Sequence, residues 1–263
     1  MPSFVVQKPS FQSFFVEVMC RGLRIGTATA FAVKVAEHAP SCLITNRHVV
    51  TGRDAQTAEC MDKHAALPDC LRVHFASKAN LRQTMQREIP LFDDAGKPLW
   101  FETTSTKEPA DVVAMCIPEA SDAEVLPYAI VDFIVYRLQP TDAVHIVGFP
   151  FGERTLDAFA VWATGHVATQ PSFDHGGRPV FLVDCRTRIG QSGSPVILYD
   201  RSRFTSRAAE GRIEVVSGET RLLGVYSGRI NRESDLGVVW KAPLVEEVAL
   251  KAWRSGRCEQ AAA

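Results

Sequence analysis

Apolar residues in this chain come in short runs broken by turn formers, and that pattern constrains the fold more than any other feature. The first half carries Phe14-Phe-Val-Glu-Val18, Ala28-Thr-Ala-Phe-Ala-Val33, Cys42-Leu-Ile-Thr45, Leu71-Arg-Val-His-Phe75 and Val112-Val-Ala-Met-Cys-Ile117. The second half repeats the pattern with Ala143-Val-His-Ile-Val147, Phe159-Ala-Val-Trp-Ala163, Val180-Phe-Leu-Val183, Pro195-Val-Ile-Leu-Tyr199, Arg221-Leu-Leu-Gly-Val-Tyr226 and Gly237-Val-Val-Trp240. Several runs alternate, and many are rich in β-branched or aromatic side chains, which suit a pleated, half-buried surface. Two groups of about six strands predict an all-β chain of two six-stranded antiparallel β-barrels. The expected division is residues 1–120 and 121–263, with the stretch from Pro118 to Pro140 as the bridge. Only the end has helical spacing. Leu244, Val245, Val248, Ala249, Ala252 and Trp253 form an apolar stripe that predicts a C-terminal α-helix packed on the second barrel.

Composition narrows the function classes. Hydrophobic residues make up 46% of the 263, enough for a real core, and the formal net charge is -1. Nothing in that balance favours nucleic acid or an anionic membrane as partner. No apolar run has the length of a membrane span. The opening MPSFVVQKPSFQSFF lacks the basic start and apolar stretch of an export signal. Seven cysteines, an odd number irregularly spaced, then predict reduced thiols and a cytoplasmic protein. Cys42 and Cys116 read as small core residues. Cys60, His64 and Cys70 would be the candidate ligands if a metal were held, but they lack paired spacing and a fourth ligand, so no metal or other cofactor is expected. The arginines of 200–220 (Arg201, Arg203, Arg207 and Arg212) read as a charged surface loop or hairpin, with a partner contact as the alternative.

Three segments bear chemistry. In Ile189-Gly-Gln-Ser-Gly-Ser-Pro195, Gly190 and Gly193 permit a tight turn around Ser192. Such a turn can aim the amides of Gly190 and Ser192 at one point, where a developing oxyanion would sit. Thr45-Asn-Arg-His48 places a histidine just after a strand, and Asp111-Val-Val-Ala114 opens a strand with a carboxylate. Taken singly, each has a structural reading as a turn, a packed imidazole or a strand end. Together they offer a nucleophile, a base and a group to orient the base.

The order His, Asp, Ser and the three local contexts resemble the trypsin-like serine proteases of the chymotrypsin fold, particularly bacterial members without disulfides and the Deg-type protease domain. The family's Thr-Ala-Ala-His, its Asp before a Val/Ile-Ala-Leu strand, and its Gly-Asp/Asn-Ser-Gly-Gly-Pro are matched by 45–48, 111–114 and 190–195. Val144-His-Ile-Val-Gly-Phe-Pro150 and Gly224-Val-Tyr-Ser-Gly228 extend the likeness over most of the chain. The resemblance implies a serine endopeptidase acting through an acyl-enzyme on a protein or peptide substrate. His48, Asp111 and Ser192 would be its triad, Gly190 and Ser192 its oxyanion hole, and Ser227 the support for Asp111. The backbone after Ser227 would pair with substrate as an added strand. A substrate-binding PDZ domain of the kind Deg proteases carry would need more chain than follows the terminal helix.

Departures from the family pattern bear on specificity and control. Arg186, Thr187, Arg188, Gly228 and Arg229 fall where the resemblance places the substrate-binding pocket. The arginines would favour an acidic substrate side chain, or else they face solvent and pair with Asp184, Glu233 or Asp235. Gln191 stands where zymogen-type members have an aspartate that receives a new N-terminus. Maturation without N-terminal cleavage is therefore expected, with control from elsewhere, such as a regulatory protein partner ordering the Gly190–Ser192 loop. Two rival classes share the scaffold: a catalytically silent peptide-binding module, and an esterase or acyl transferase using the same triad.

Overall fold

The computed structural model describes residues 4–55, 57–118, 121–130, 138–205, 213–231 and 233–261. The elements in chain order are β1 (Phe4–Gln7), α1 (Pro9–Gln12), β2 (Ser13–Cys20), β3 (Leu23–Lys34), β4 (Cys42–Thr45), α2 (Arg47–Thr51), β5 (Cys70–Ser77), β6 (Thr84–Pro90), β7 (Phe101–Glu102), β8 (Val113–Cys116), β9 (Ala123–Glu124) and β10 (Tyr128–Ala129). There follow β11 (Ala143–Gly148), β12 (Val161–Val167), β13 (Val180–Asp184), β14 (Pro195–Thr205), β15 (Ile213–Arg229), β16 (Leu236–Lys241), α3 (Ala242–Arg254) and α4 (Arg257–Ala261).

The second sheet closes as the strand pattern predicts. Its order β15-β14-β11-β12-β13-β16 returns to β15 through antiparallel pairing of β15 with β16, which makes a six-stranded barrel. The first sheet runs β6-β5-β2-β3-β4-β8-β7, with β9 on β5 and β10 on β3. No ladder joins its ends among the described residues. The chain leaving β6 instead forms a hairpin in which Phe92 bridges Pro98 and the Leu99 amide bonds the Leu91 carbonyl, and this hairpin leads directly into β7.

Two segments cross the division expected at residue 120. β1 pairs in parallel with the start of β15, so the N-terminus joins the second sheet. β9 and β10, beyond residue 120, pair with the first. The remainder of the bridge includes residues 119–120 and 131–137, which lie outside the described residues, as do residues 206–212 of the arginine-rich stretch.

The helix α3 does more than cover the second barrel. Leu244, Val245, Val248, Ala249 and Ala252 share one core with Cys42, Ile44 and Ala114 of the first sheet and Leu222, Val225 and Trp240 of the second. The helix thus seals the seam where the sheets meet. Glu247 fastens it to the first: its carboxylate accepts the Thr104 amide at 2.6 Å and the Ser105 hydroxyl. Lys251 Nζ adds a bond to the Glu102 carbonyl at 2.9 Å. Burial alone would raise the Glu247 carboxyl, but these donors and Lys251 outweigh it and bring its pKa down to about 2.

One cysteine expectation is corrected. Cys116 at the end of β8 and Cys258 in α4 form a disulfide, because α4 folds back over the first sheet and brings together residues far apart in sequence. Cys20, Cys42, Cys60, Cys70 and Cys185 are free thiols. Cys60, His64 and Cys70 do not assemble a site: among the described residues no three His, Cys, Asp or Glu side chains are placed to share a metal ion.

Candidate active site

The first sheet places an imidazole and a carboxylate together. β4 ends at Thr45, Asn46 leads into the single turn of α2, and His48 lies on that turn. Neighbouring β8 begins just after Asp111, and its register pairs Thr45 with Val113, so the two strand ends lie side by side. His48 Nδ1 and Asp111 Oδ2 are 2.7 Å apart, and the His48 backbone amide donates to Oδ1 at 2.8 Å. The Ser227 hydroxyl, arriving from β15, donates to Oδ2. Asn46 Nδ2 donates to the Asp111 carbonyl at 2.7 Å. The Asp111 side chain is 1% exposed and that of His48 10%.

Those contacts set the electrostatics. Burial alone would lower the His48 pKa, but the charge and hydrogen bond of Asp111, with a smaller contribution from Asp54, turn the net shift upward. Burial would raise Asp111, but its bonds to His48 and Ser227 hold it below the ordinary carboxylate value. The pair therefore favours a charged carboxylate beside an imidazole whose Nε2 is left for a reaction partner.

The second barrel supplies the Ser192 turn. Gly190 has φ +97° and Gly193 φ +83°, backbone conformations that L side chains rarely adopt. A Cβ on Gly190 would lie 2.3 Å from the Phe149 carbonyl oxygen, and one on Gly193 would lie 2.1 Å from that of Thr29. The Phe151 amide donates to the Ile189 carbonyl at 2.6 Å. Across that trans peptide the Gly190 N–H points the opposite way. Among the described residues neither the Gly190 nor the Ser192 amide has a protein acceptor. Gln191, buried, accepts the Arg188 amide on Oε1 at 2.8 Å and braces the turn from within.

Ser192 and His48 line the same cleft, yet the Ser192 hydroxyl donates to the Ser227 carbonyl at 3.0 Å rather than to the imidazole. Two grooves meet at these residues. One, of about 470 Å³, is bounded by Val18, Ile25, Val49, Met61 and Ile189. The other, of about 440 Å³, runs along Ser227, Gly228, Arg229 and Asn231 towards Arg178 and Trp240.

The residues expected to form the substrate pocket separate. Thr187 is buried, its hydroxyl bonded to that of Tyr226. Arg186 and Arg188 lean towards Asp235, at 3.9 and 3.8 Å. Gly228 and Arg229 line the cleft.

Sequence reasoning missed Thr29. Wholly buried in β3, it accepts the Phe149 amide at 3.2 Å and donates to the Gly190 carbonyl at 2.8 Å, both through its hydroxyl. Its amide bonds the Ser192 carbonyl at 2.8 Å, and its carbonyl accepts the Thr45 hydroxyl at 2.9 Å. One threonine therefore ties the serine turn of the second barrel to the first sheet. The available signal was a lone hydroxyl among the small apolar residues of Ala28-Thr-Ala-Phe-Ala-Val33. A side-chain oxygen buried there needs a partner.

Comparisons with known proteins show the family. The family model for the trypsin-like peptidase domain matches residues 28–204. No curated protein matches the chain by sequence. Among solved structures, a serine endoprotease from Yersinia pestis superposes with a TM-score of 0.52 at 15% identity, covering 94% of this chain and 64% of that one. The inactive form of Rv3671c from M. tuberculosis gives 0.47 at 16% identity, covering 93% and 86%. The HtrA-type protease AlgW, solved with a tripeptide, gives 0.48 at 14% identity, covering 95% and 61%. The chain thus spans less than two thirds of the Yersinia protein and of AlgW.

Proposed function

The chain belongs to the trypsin-like peptidase family, and from that premise we propose that it is a serine endopeptidase with His48, Asp111 and Ser192 as its triad. The observation that carries this reading is the Asp111 carboxylate, buried against His48 Nδ1 in the wall of the cleft that Ser192 also lines. In the proposed reaction Ser192 Oγ attacks the carbonyl carbon of a peptide bond while His48 Nε2 takes its proton. The amides of Gly190 and Ser192 receive the oxyanion. His48 then protonates the departing amine, and the acyl group left on Ser192 is released by water through the same base. Asp111 holds the imidazole in the tautomer that exposes Nε2 and stabilises its charged form. Ser227 and the His48 amide hold Asp111.

The Ser192 hydroxyl reaches the Ser227 carbonyl in the resting chain, so attack requires rotation about its Cα–Cβ bond, a small barrier for a staggered side chain. The same orientation is what a silent peptide-binding module would show, and that is the one observation on its side. Because Gln191 supplies a neutral brace to the turn through the Arg188 amide, the reading requires no inserted N-terminal ammonium.

Ser192→Ala tests the assignment. Loss of the nucleophile should lower turnover by about a millionfold with folding unchanged. A fluorophosphonate probe should label wild type at Ser192 and leave the variant unlabelled. Undiminished hydrolysis by purified Ser192→Ala would overturn the triad. A well-folded wild type that neither reacts with the probe nor cleaves any peptide would favour the silent module.

A further inference from the structure

We infer that the cleft selects peptides with an acidic side chain on the amino-terminal side of the scissile bond, held by Arg178 and Arg229, and an apolar side chain on the carboxyl-terminal side. This rests on the peptidase reading above and adds the class of substrate.

Away from the cleft, Arg24 and Arg72 pair with Glu17, Arg47 with Glu102 and Arg87 with Asp122. Arg178 and Arg229, both half-buried, form no ion pair among the described residues, although each has a carboxylate close by in the chain. The carboxylate near Arg178 is Asp174, at the start of the same hairpin, and Lys241 Nζ takes it at 2.7 Å while also bonding the Phe173 carbonyl. The carboxylates near Arg229 are Glu233 and Asp235, in the β15–β16 turn; Arg186 and Arg188 share Asp235, and Glu233 is exposed and forms no ion pair with Arg229 among the described residues. Other cations therefore engage Asp174 and Asp235, and two guanidinium groups are left in the wall of the cleft that holds Ser192.

Their placement fits a substrate strand. β14 pairs with β15 only as far as Pro195 opposite Val225, so the edge of β15 beyond Ser227 is open on that side. A peptide added along this edge places the residues before its scissile bond beside Arg229. Arg178 stands farther along, on a hairpin where His175 bridges Arg178, with its guanidinium 6.0 Å from the centre of the Trp240 ring. That ring orients the side chain without neutralising it. A further groove of about 640 Å³ continues past Arg178 and Trp240, where Lys107 stands beside Glu108 and Asp174. Asp54 also lines the cleft, near His48, and its carboxylate is engaged by the Thr57 amide at 2.9 Å. On the other side of Ser192 the groove is apolar, lined by Val18, Ile25, Val49 and Pro68, with the exposed Met61 and Ile189 shared between the two grooves, and Asp62 and Lys63 at its rim offset each other in charge.

The test uses quenched peptides varied at three positions on each side of one bond, with the anisotropy of labelled peptides on Ser192→Ala protein as a second readout. Glu or Asp upstream should raise kcat/KM by about tenfold over Gln, as expected for a charge-assisted bond in a partly desolvated cleft. Leu or Phe downstream should be favoured over Lys. Arg178→Glu and Arg229→Glu should each invert the upstream preference towards Lys, with fluorophosphonate labelling retained as evidence of an intact site. Ser192-dependent cleavage that ignores upstream charge, or a preference unchanged in both reversals, overturns the inference and leaves the peptidase reading standing. No cleavage of any peptide, with Ser192→Ala binding acidic peptides through Arg178, overturns the peptidase reading and keeps the recognition site.

Discussion

The two halves of the site are built by opposite means. The first sheet contributes His48 and Asp111 from strand ends fixed by a ladder, with every oxygen of the carboxylate engaged and its side chain 1% exposed. The second barrel contributes Ser192 from a turn that rests on two glycines at positive φ, with two amides that lack a protein acceptor among the described residues and a hydroxyl that donates to the Ser227 carbonyl. One half is preorganised by burial and completed by hydrogen bonds. The other is held by shape and keeps donors unsatisfied, which is what a group arriving with developing negative charge requires. The difference teaches that rigidity and unmet bonding are divided between the sheets. Thr29 is the splice between them.

Among changes that leave the nucleophile in place, the largest effect should come from removing charge in the rigid half. Asp111→Asn keeps a side chain of similar size but takes away the carboxylate that orients the imidazole, and turnover should fall by about ten-thousandfold. Its pH profile carries a sign that a simple loss of folding would not. In the wild type the folded His48 pKa is raised above 6.5, so activity should appear only as pH climbs through a midpoint higher than that value. The same shift makes His48 a contributor to stability below the unfolded pKa, and the contribution is lost as pH rises through the folded one. In Asp111→Asn burial is left without its main opposing charge, so the acid limb of the residual activity should move to lower pH. Measuring kcat/KM against pH for both proteins checks this. A limb that stays in place would mean that Asp111 does not set the base.

The next effect belongs to the turn. Gly190→Ala puts a Cβ 2.3 Å from the Phe149 carbonyl oxygen at φ +97°, so the peptide bearing the Gly190 amide must shift. Displacing one oxyanion donor should lower kcat by about a hundred- to a thousandfold with little change in KM. Probe labelling and steady-state kinetics on the folded variant decide it. A variant that loses binding and turnover equally would indicate that the turn shapes the cleft rather than the oxyanion site.

Much of this contrast was legible in the sequence, for physical reasons that also mark where legibility stopped. Short runs of β-branched residues report strands because a strand needs only its own neighbours to show alternation, and the closed six-stranded barrel followed from them. The apolar stripe of α3 gave the helix and its buried face but not its address. A stripe records that a face is covered, and Cys42, Ile44 and Ala114 of the first sheet could not be read from it. The positions proposed as the triad stood out because glycine beside serine, and a charged residue at a strand end, are local anomalies. Thr29 and Arg178 were missed because their meaning is entirely non-local. Thr29 acts through partners at Gly190 and Phe149, and the role proposed for Arg178 rests on Lys241 having taken Asp174. The disulfide was missed for the same reason, since counting cysteines says nothing about a terminal helix folding back on β8.

The smallest effect on turnover should come from that disulfide, and its smallness sharpens the comparison. Cys116 ends the strand that Asp111 introduces, so a link from Cys116 to Cys258 could be thought to hold the carboxylate in place. The geometry argues otherwise. Asp111 is fixed at its own end of the strand by the His48 amide, Ser227 and Asn46. The helix α3, one turn earlier than α4, is fastened independently by Glu247 and Lys251. Breaking the bond frees α4 and relaxes a closure across 142 residues of sequence, a loss of about 2–5 kcal/mol in stability. A reducing agent acts at this bond alone among the described cysteines, because Cys20, Cys42, Cys60, Cys70 and Cys185 are already free thiols. Reduction, or Cys258→Ala, should therefore lower the denaturation midpoint clearly while kcat/KM at 25 °C stays within about twofold. Denaturant melts and kinetics with and without dithiothreitol measure both. Activity falling in step with the disulfide, while the protein remains folded, would show that the rigid half of the site depends on α4 and would move the boundary between preset and adjustable to the far end of β8.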